Sequence, residues 1–185
     1  MQLTAIKKFP IQGPLFIEMA GHDDARGTFV ELYNQTDLID HIGERFTQDN
    51  LSFSKKNVIR GLHYQVTFPQ GKLIYCLQGV IFDVALDMRW GSPTFGAYVG
   101  VTLDARYNQA FYIPPGFAHG FAVASASDAM VWYKCTHGYR KACDRAISWK
   151  DSPITLPKDF ITEKAVVSAK DLAAPPLTAE MAIRL

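Results

Sequence analysis

Short apolar runs broken by turn-forming residues constrain the fold of this chain more than any other feature. Aromatic and β-branched residues cluster in these runs, and glycine, proline, asparagine and aspartate separate one run from the next. About ten runs recur at intervals of roughly ten residues, a spacing typical of all-β proteins. The pattern fits a double-sheet jelly roll or barrel that could hold one small ligand, although strand count alone leaves an immunoglobulin-like sandwich open.

The runs also predict where individual elements lie. Residues 72–77 and 80–87 are joined by Gln78-Gly79, which predicts a β-hairpin of two paired strands. Residues 37–42 favour a short helix with Thr36 as its N-cap, and one helical turn is expected near Asp171. Further strands are expected at residues 15–18, 29–33, 57–63, 97–101, 109–113, 120–124, 129–135 and 146–149, with a turn-rich loop at 21–27.

Length and charge exclude several classes of protein. A chain of 185 residues can bury a complete core, so residues 1–185 are expected to form a single domain. A net charge of +1 gives no field that would attract nucleic acid or an anionic membrane. An anionic ligand must therefore be held by individual arginine and lysine side chains. No apolar run approaches the roughly 20 residues of a membrane helix, so no membrane partner is expected.

The cysteines and the N-terminal residues indicate a compartment. Cys76, Cys135 and Cys143 are odd in number, irregularly spaced and without a CxxC pair, which argues against a disulfide framework and a zinc knuckle. Reduced thiols are typical of intracellular proteins. The first residues lack the apolar segment of a signal peptide. Together these features predict a cytoplasmic protein.

Two stretches concentrate polar chemistry on predicted strands. Residues 57–65 carry Arg60, His63 and Gln65, and residues 113–121 carry His119 after a Pro-Pro-Gly turn. This two-motif layout resembles the cupin superfamily. The resemblance implies a double-stranded β-helix, the cupin-type jelly-roll barrel, with short peripheral helices.

The metal site of many cupins is not repeated in this sequence. Metal-binding cupins carry His-x-His and a downstream glutamate in the first motif, whereas here Gln65 replaces the second histidine. Residues 67–88 contain no glutamate, and Lys72 occupies the region that would supply one. An ammonium group repels a divalent cation, and two imidazoles alone make a poor site. The sequence therefore predicts a barrel without a metal or other cofactor, and a metal-dependent cupin oxygenase is the alternative.

Histidine, lysine and tyrosine in a dry barrel suit proton abstraction beside a carbonyl group. Histidine has a pKa near the working pH of a general base. Lys72 could stabilise the developing enolate. Inversion of a stereocentre also needs a group that returns a proton to the opposite face, and a tyrosine hydroxyl is suitable.

Nine runs of this chain occur in the same order in dTDP-4-dehydrorhamnose 3,5-epimerases, which the chain therefore resembles. A single run would be weak evidence, but nine in order are specific. The resemblance implies a cofactor-independent isomerase of a nucleotide-diphosphate 4-keto-6-deoxysugar, most simply one that forms dTDP-4-dehydrorhamnose from dTDP-4-dehydro-6-deoxyglucose. The runs cover residues 26–31, 48–50, 60–65, 70–73, 82–85, 91–96, 113–121, 133–136 and 168–175.

The resemblance also implies roles for individual residues. His63 would be the base for C3 and C5, oriented by Asp171; Tyr133 would return the proton, and Lys72 would stabilise the enolate. Arg60 would contact the diphosphate and Tyr139 would stack on the thymine. It also implies a homodimer that exchanges an N-terminal strand, for which residues 15–18 are suited. The full set expected around the nucleotide and sugar is Arg26, Phe29, Glu31, Gln48, Asn50, Arg60, His119, Tyr139, Asp144 and Lys170.

Several alternatives stay open from the residues themselves. His119 could be a structural histidine paired with Asp83 on a neighbouring strand. Tyr133 could be a core residue and Asp171 an ordinary carboxylate at a helix start. A non-catalytic sugar-nucleotide binding barrel would carry many of the same residues.

The segment after Thr136 departs from the family pattern. Gly138 replaces an aromatic residue, Arg140 and Lys141 replace an acidic run, and Asp144 is one methylene shorter than the usual glutamate. A different base, a different 4-keto sugar, or epimerisation at one carbon only would all be compatible with these changes.

Overall fold

Strands dominate the computed structural model, which describes residues 1–158, 160 and 164–185. The helices are α1 (Gln35–Ile42) and α2 (Ala169–Leu172), with single 3₁₀ turns at Lys141–Cys143 and Ala179–Met181. The strands are β1 (Leu3–Lys8), β2 (Leu15–Met19), β3 (His22–Asp24), β4 (Gly27–Phe29), β5 (Gln48–Ser54), β6 (Val58–Gln65), β7 (Lys72–Gln78), β8 (Val80–Asp87), β9 (Tyr98–Asp104), β10 (Gln109–Ile113), β11 (Phe117–Val123), β12 (Ala129–Cys135), β13 (Asp144–Ala146) and β14 (Val166–Val167).

Two sheets pack face to face around the main core. The first sheet has the order β1-β2-β10-β7-β12-β5, and the second has the order β13-β6-β11-β8-β9 with β14 parallel to β6. Ile74 and Phe111 of the first sheet share one buried cluster with Ile81 and Phe121 of the second. This is the double-stranded β-helix of the cupins, so the predicted fold class is confirmed and the immunoglobulin-like sandwich is wrong.

The predicted hairpin between residues 72–77 and 80–87 is wrong. β7 lies between β10 and β12 in the first sheet, whereas β8 lies between β11 and β9 in the second. Gly79, with a φ of 80°, turns the chain from one sheet to the other, and a Cβ there would lie 2.8 Å from the Asp128 carbonyl oxygen. Because both strands are largely buried on both faces, their residues do not alternate in polarity, and nothing in the sequence shows which sheet each strand joins.

The N-terminal third also differs from the prediction. Asn34, not Thr36, caps α1, because its side-chain oxygen accepts the Thr36 N–H at 3.0 Å. The predicted strand at 29–33 is wrong, since pairing stops at Phe29. Instead β3 and β4 form a two-stranded hairpin that begins inside the predicted loop and ends at Phe29. β1 has no counterpart among the predicted strands.

Most other elements are confirmed. β10 and β12 match their predicted bounds, and α2 is the helical turn expected near Asp171. Among the described residues, no helix is both long and apolar enough to cross a membrane. The predicted strands at 15–18, 57–63, 97–101 and 120–124 correspond to β2, β6, β9 and β11 with shifted ends, and the one at 146–149 overlaps β13 only at Ala146.

Candidate active site

A histidine–carboxylate pair forms the chemical centre of the barrel. His63 Nε2 lies 2.6 Å from Asp171 Oδ1. The Asp171 side chain is only 4% exposed, whereas that of His63 is 34% exposed and reaches the cavity. With Nε2–H donated to the carboxylate, Nδ1 is the ring nitrogen left to accept a proton.

Asp171 remains a carboxylate in this setting. Burial raises its pKa, but hydrogen bonds from His63, the Gly61 N–H and Ser168 outweigh burial, so the pKa of Asp171 lies below its ordinary value. An ionised partner stabilises a protonated imidazole, as a base requires after it has taken up a proton.

Parallel pairing and a helix cap bring Asp171 to a histidine 108 positions earlier in the chain. β14 pairs with the start of β6, and Ser168 then caps α2 by accepting the Asp171 N–H at 3.1 Å. The predicted helix-start carboxylate and the predicted partner of His63 are therefore the same residue. Gly61 completes the arrangement: its N–H lies 3.3 Å from Asp171 Oδ2.

Gly61 also allows β6 and β11 to approach each other. Its φ is 104°, and a Cβ at this position would lie 2.6 Å from the His119 carbonyl oxygen. Any other residue would separate the strands and displace the two histidines, which are register partners.

Tyr133 and Lys72 enter the same cavity from the other sheet. β12 carries Tyr133 and β7 carries Lys72, both in the first sheet, while His63 projects from β6 of the second. The cavity has a volume of about 430 Å³ and is lined by all three residues. A ligand between the sheets would therefore have the imidazole on one side and the phenol on the other.

Burial shifts the pKa values of both first-sheet residues. It raises the pKa of Tyr133, so the phenol stays protonated at neutral pH and can donate a proton. It lowers the pKa of Lys72, and the attraction of Cys135, Asp83 and Asp144 offsets only part of that effect. Lys72 is 8% exposed. In its protonated form, so poorly solvated a side chain would interact strongly with any negative charge that develops beside it.

His119 pairs with Asp83 and also borders the cavity. Its Nε2 lies 3.0 and 3.1 Å from the two carboxylate oxygens of Asp83, so the predicted structural pairing is confirmed. Burial lowers the pKa of His119 and raises that of Asp83, moving both residues toward their uncharged forms. His119 also lines the same cavity as His63.

The side chains around His63 do not assemble metal ligands. Gln65, at the position of a second cupin histidine, donates to the Phe68 carbonyl and accepts the Arg140 N–H at 2.6 Å. Among residues 1–158, 160 and 164–185, no group of three or more His, Cys, Asp or Glu side chains is arranged to hold a metal ion.

Comparison with known proteins assigns the family. The family model for dTDP-4-dehydrorhamnose 3,5-epimerase matches residues 8–179. The chain is also 45% identical over 176 residues to the dTDP-4-dehydrorhamnose 3,5-epimerase of Salmonella typhimurium, covering 94% of this chain and 95% of that protein. The chain belongs to the dTDP-4-dehydrorhamnose 3,5-epimerase family. The resemblance stated from nine sequence runs is confirmed.

Solved structures agree in fold with this family member. The dTDP-6-deoxy-D-glucose-3,5-epimerase of Legionella pneumophila, in complex with dTDP-4-keto-L-rhamnose, superposes with a TM-score of 0.87 at 40% identity and covers 98% of each chain. A 3′-monoepimerase from Streptomyces bikiniensis, in complex with dTDP-quinovose, gives a TM-score of 0.83 at 30% identity, covering 91% of this chain and 86% of that one.

A second cavity of about 360 Å³ adjoins the first and gathers the expected nucleotide residues of this epimerase-family chain. The Tyr139 N–H donates to Gln48 Oε1 at 2.8 Å, and the Tyr139 hydroxyl donates to Asp144 Oδ2 at 3.2 Å. Lys170 Nζ lies 2.5 Å from the same Asp144 oxygen. Tyr139 is 55% exposed, so its ring is available for stacking. The altered segment after Thr136 therefore still directs Tyr139 and Asp144 to this cavity.

The structure brings most predicted site residues together but leaves three apart. Arg26, at the turn of the β3–β4 hairpin, is 90% exposed and pairs with Asp24 at 2.5 Å. Phe29 is 69% exposed on the same hairpin, and Glu31 lies 2.6 Å from the N-terminal ammonium. The predicted site residues that line the two cavities are Gln48, Asn50, Arg60, His63, Lys72, His119, Tyr133, Tyr139, Asp144, Lys170 and Asp171.

The sequence reasoning did not identify every cavity residue, and Ser52 and Cys135 are two that it missed. Ser52 lies two positions after Asn50 on β5, and Cys135 lies two positions after Tyr133 on β12. Alternate residues of a strand share a face. Counting two positions on from Asn50 and from Tyr133 would therefore have identified both residues.

Proposed function

We propose that the protein is a cofactor-independent 3,5-epimerase that converts dTDP-4-dehydro-6-deoxyglucose into dTDP-4-dehydrorhamnose. One observation carries this proposal: the His63–Asp171 pair, 2.6 Å apart, and the Tyr133 phenol line one cavity from opposite sheets. A base and an acid on opposite sides of a substrate are what inversion of a carbon centre requires. A barrel that only bound the ligand would not need the oriented pair.

The proposed reaction moves protons only. His63 Nδ1 removes the proton from C3, and the electrons of the C–H bond flow into the C4 carbonyl to form an enolate. Lys72 stabilises the enolate oxygen, and Tyr133 donates its proton to the opposite face of C3. C5 is also adjacent to the C4 carbonyl, so the same base, cation and acid can invert it. The phenolate and imidazolium then exchange protons with water.

The test of this reaction is incubation with the 4-keto sugar nucleotide in D₂O. We expect solvent deuterium at both C3 and C5, because each inverted carbon receives its new hydrogen from a solvent-exchangeable group. Nuclear magnetic resonance of the product measures incorporation at each carbon. Deuterium at C3 alone would indicate a 3-epimerase. Exchange at neither carbon, with several nucleotides tried, would contradict the proposal.

The second cavity supports a nucleotide diphosphate as the carrier of the sugar. Tyr139 offers an exposed ring for the thymine, and Gln48 and Asn50 offer amide groups beside it. Arg60, at the edge of the first cavity, supplies the positive charge for the diphosphate. All three cysteines are free thiols, which supports a cytoplasmic location.

We also propose a homodimer in which the β3–β4 hairpin completes the partner's site. Arg26 and Phe29 project from this hairpin and are strongly exposed, which suits a surface that another chain covers. Residues 15–18 were predicted to be the strand that two chains exchange. They form β2, which pairs with β1 on one side and β10 on the other within its own sheet. The hairpin is therefore the better candidate for a shared element.

Complementation between two variants tests this arrangement. Arg26→Ala should weaken substrate binding by about 10–100-fold, as expected for loss of a charge-assisted hydrogen bond. We expect Arg26→Ala and His63→Asn chains, mixed to form hybrid dimers, to regain about a quarter of the wild-type sites. Half of randomly assorted dimers are hybrids, and each hybrid holds one intact site.

The controls separate the alternatives. Light scattering of the wild-type protein must give twice the chain mass. If Arg26 served its own chain, each hybrid site would keep one defect and no activity would return. Full activity of Arg26→Ala by itself would show that the hairpin is not part of a site.

A further inference from the structure

β5 presents four polar side chains on one face. Gln48, Asn50, Ser52 and Ser54 alternate with the exposed Asp49, Leu51 and Phe53, so the polar set points away from solvent. This face lies beside β12, where Tyr133 pairs with Asn50 and Val131 pairs with Ser52. The polar face of β5 therefore borders the site of the proposed reaction.

Three of the four side chains have protein partners. Gln48 Nε2 donates to Asn50 Oδ1 at 2.8 Å, and Asn50 Nδ2 lies 3.5 Å from Cys135 Sγ. Ser54 Oγ accepts Arg60 Nε–H at 2.9 Å. Ser52 Oγ differs: among the described residues it is the one buried side-chain oxygen or nitrogen that no protein group hydrogen-bonds. Buried hydroxyl groups without a partner are rare in native proteins and call for an explanation.

The position of Ser52 suggests the missing partner. Ser52 lines the first cavity together with Arg60 and Tyr133. Ser54 anchors Arg60 through Nε, and Arg60 Nη2 lies 3.4 Å from the Phe53 carbonyl oxygen, so the cation is held over the same stretch of β5. A ligand oxygen bound near this cation would lie within the part of the cavity that Ser52 also borders.

We propose that Ser52 is a substrate-positioning residue whose hydroxyl donates a hydrogen bond to a ligand oxygen at the Arg60 end of the cavity. The acceptor is a phosphoryl oxygen or the sugar hydroxyl next to it. This inference rests on the proposed function for the identity of the ligand, and it adds a contact that neither the sequence motifs nor the family resemblance supplied.

A hydroxyl without a partner in the free protein has a distinctive energetic signature. Removing it should not destabilise the free protein, since no hydrogen bond is lost and a desolvated polar atom is relieved. Removing it should weaken the complex, since the ligand oxygen then loses its donor. A residue with a purely structural role would show the opposite pattern.

The experiment compares Ser52→Ala with the wild type by calorimetric titration and thermal unfolding. The probes are dTDP and dTDP-glucose, which lacks the 4-keto group and is not expected to react. We expect dTDP-glucose to bind about tenfold more weakly to Ser52→Ala, with an unchanged or slightly raised Tm. An equal loss for dTDP identifies a phosphoryl acceptor, and a loss confined to dTDP-glucose identifies the sugar hydroxyl.

Ser54→Ala is the matched control on the same strand. Its hydroxyl already has a partner in the free protein, so this variant should lower the Tm where Ser52→Ala does not. Unchanged affinity of Ser52→Ala for both probes would overturn the inference, and so would a fall in Tm as large as that of Ser54→Ala. If the wild type binds the probes but catalyses no exchange in D₂O, the proposed function fails while Ser52 is still tested. If it binds neither probe, both are wrong.

Discussion

His63→Asn should abolish deuterium exchange at both C3 and C5, lowering the rate by about 10²–10⁴-fold or more. Asparagine is shorter than histidine and does not reproduce the contact of Nε2 with Asp171 at 2.6 Å, so binding has to be measured beside activity. An amide has no basic nitrogen and cannot accept a proton from carbon. Because one imidazole is proposed to serve both carbons, the loss should be equal at each.

Nuclear magnetic resonance in D₂O measures both positions in one sample. His41→Asn is the control, since His41 is an exposed residue in the last turn of α1 and should keep wild-type activity. Binding of dTDP by the His63 variant should stay near the wild-type value, which separates chemistry from binding. Full activity of His63→Asn would show that the base lies elsewhere, and loss at one carbon only would require a second base.

Tyr133→Phe should separate exchange from inversion. His63 would still remove a proton and, after exchange with solvent, return a deuteron to the same face of the carbon. We therefore expect exchange within about tenfold of the wild-type rate but inversion slowed by about 10²–10³-fold, because the opposite face has lost its proton donor. The phenol suits this donor role, since burial raises its pKa and keeps it protonated.

The measurement records the deuterium content and the stereochemistry of the recovered sugar in the same sample. Recovered substrate should carry deuterium at C3 and C5 while keeping its original configuration. Tyr107→Phe, at a tyrosine that is 58% exposed, should behave like the wild type. Normal inversion by Tyr133→Phe would assign the proton donor to another group. Loss of exchange, with dTDP binding intact, would mean that Tyr133 acts in proton removal.

The local parts of the site could be predicted from the sequence. His63, Arg60 and Gly61 lie on one strand, and His119 lies three positions after Gly116 of its Pro-Pro-Gly turn, so the place of each residue on its own strand depends on only a few residues of chain. Strands β10 and β12 matched their predicted bounds for a similar reason: Asn108 and Pro114 flank β10, and Asp128 precedes β12. Local backbone preferences decide features of this kind.

Features that depend on the pairing of distant segments could not be predicted in the same way. The tight turn at Gly79 suits a hairpin and a crossing between sheets equally, and only the partners of β7 and β8 decide between them. The unpartnered hydroxyl of Ser52 is likewise a property of its surroundings. It depends on neighbouring residues of β11 and β12, which lie far away in the chain.

The sequence alone determined an all-β chain with the residue types for metal-free proton transfer, because strand periodicity, turn residues and ordered motifs are local patterns. Only the tertiary structure decided that His63 and Tyr133 lie on opposite sheets and that Asp171, through β14 and its Ser168 cap, reaches His63. It also left Arg26, Phe29 and Glu31 outside the cavity of their own chain. Distances between segments depend on packing across the whole chain, which local patterns do not encode.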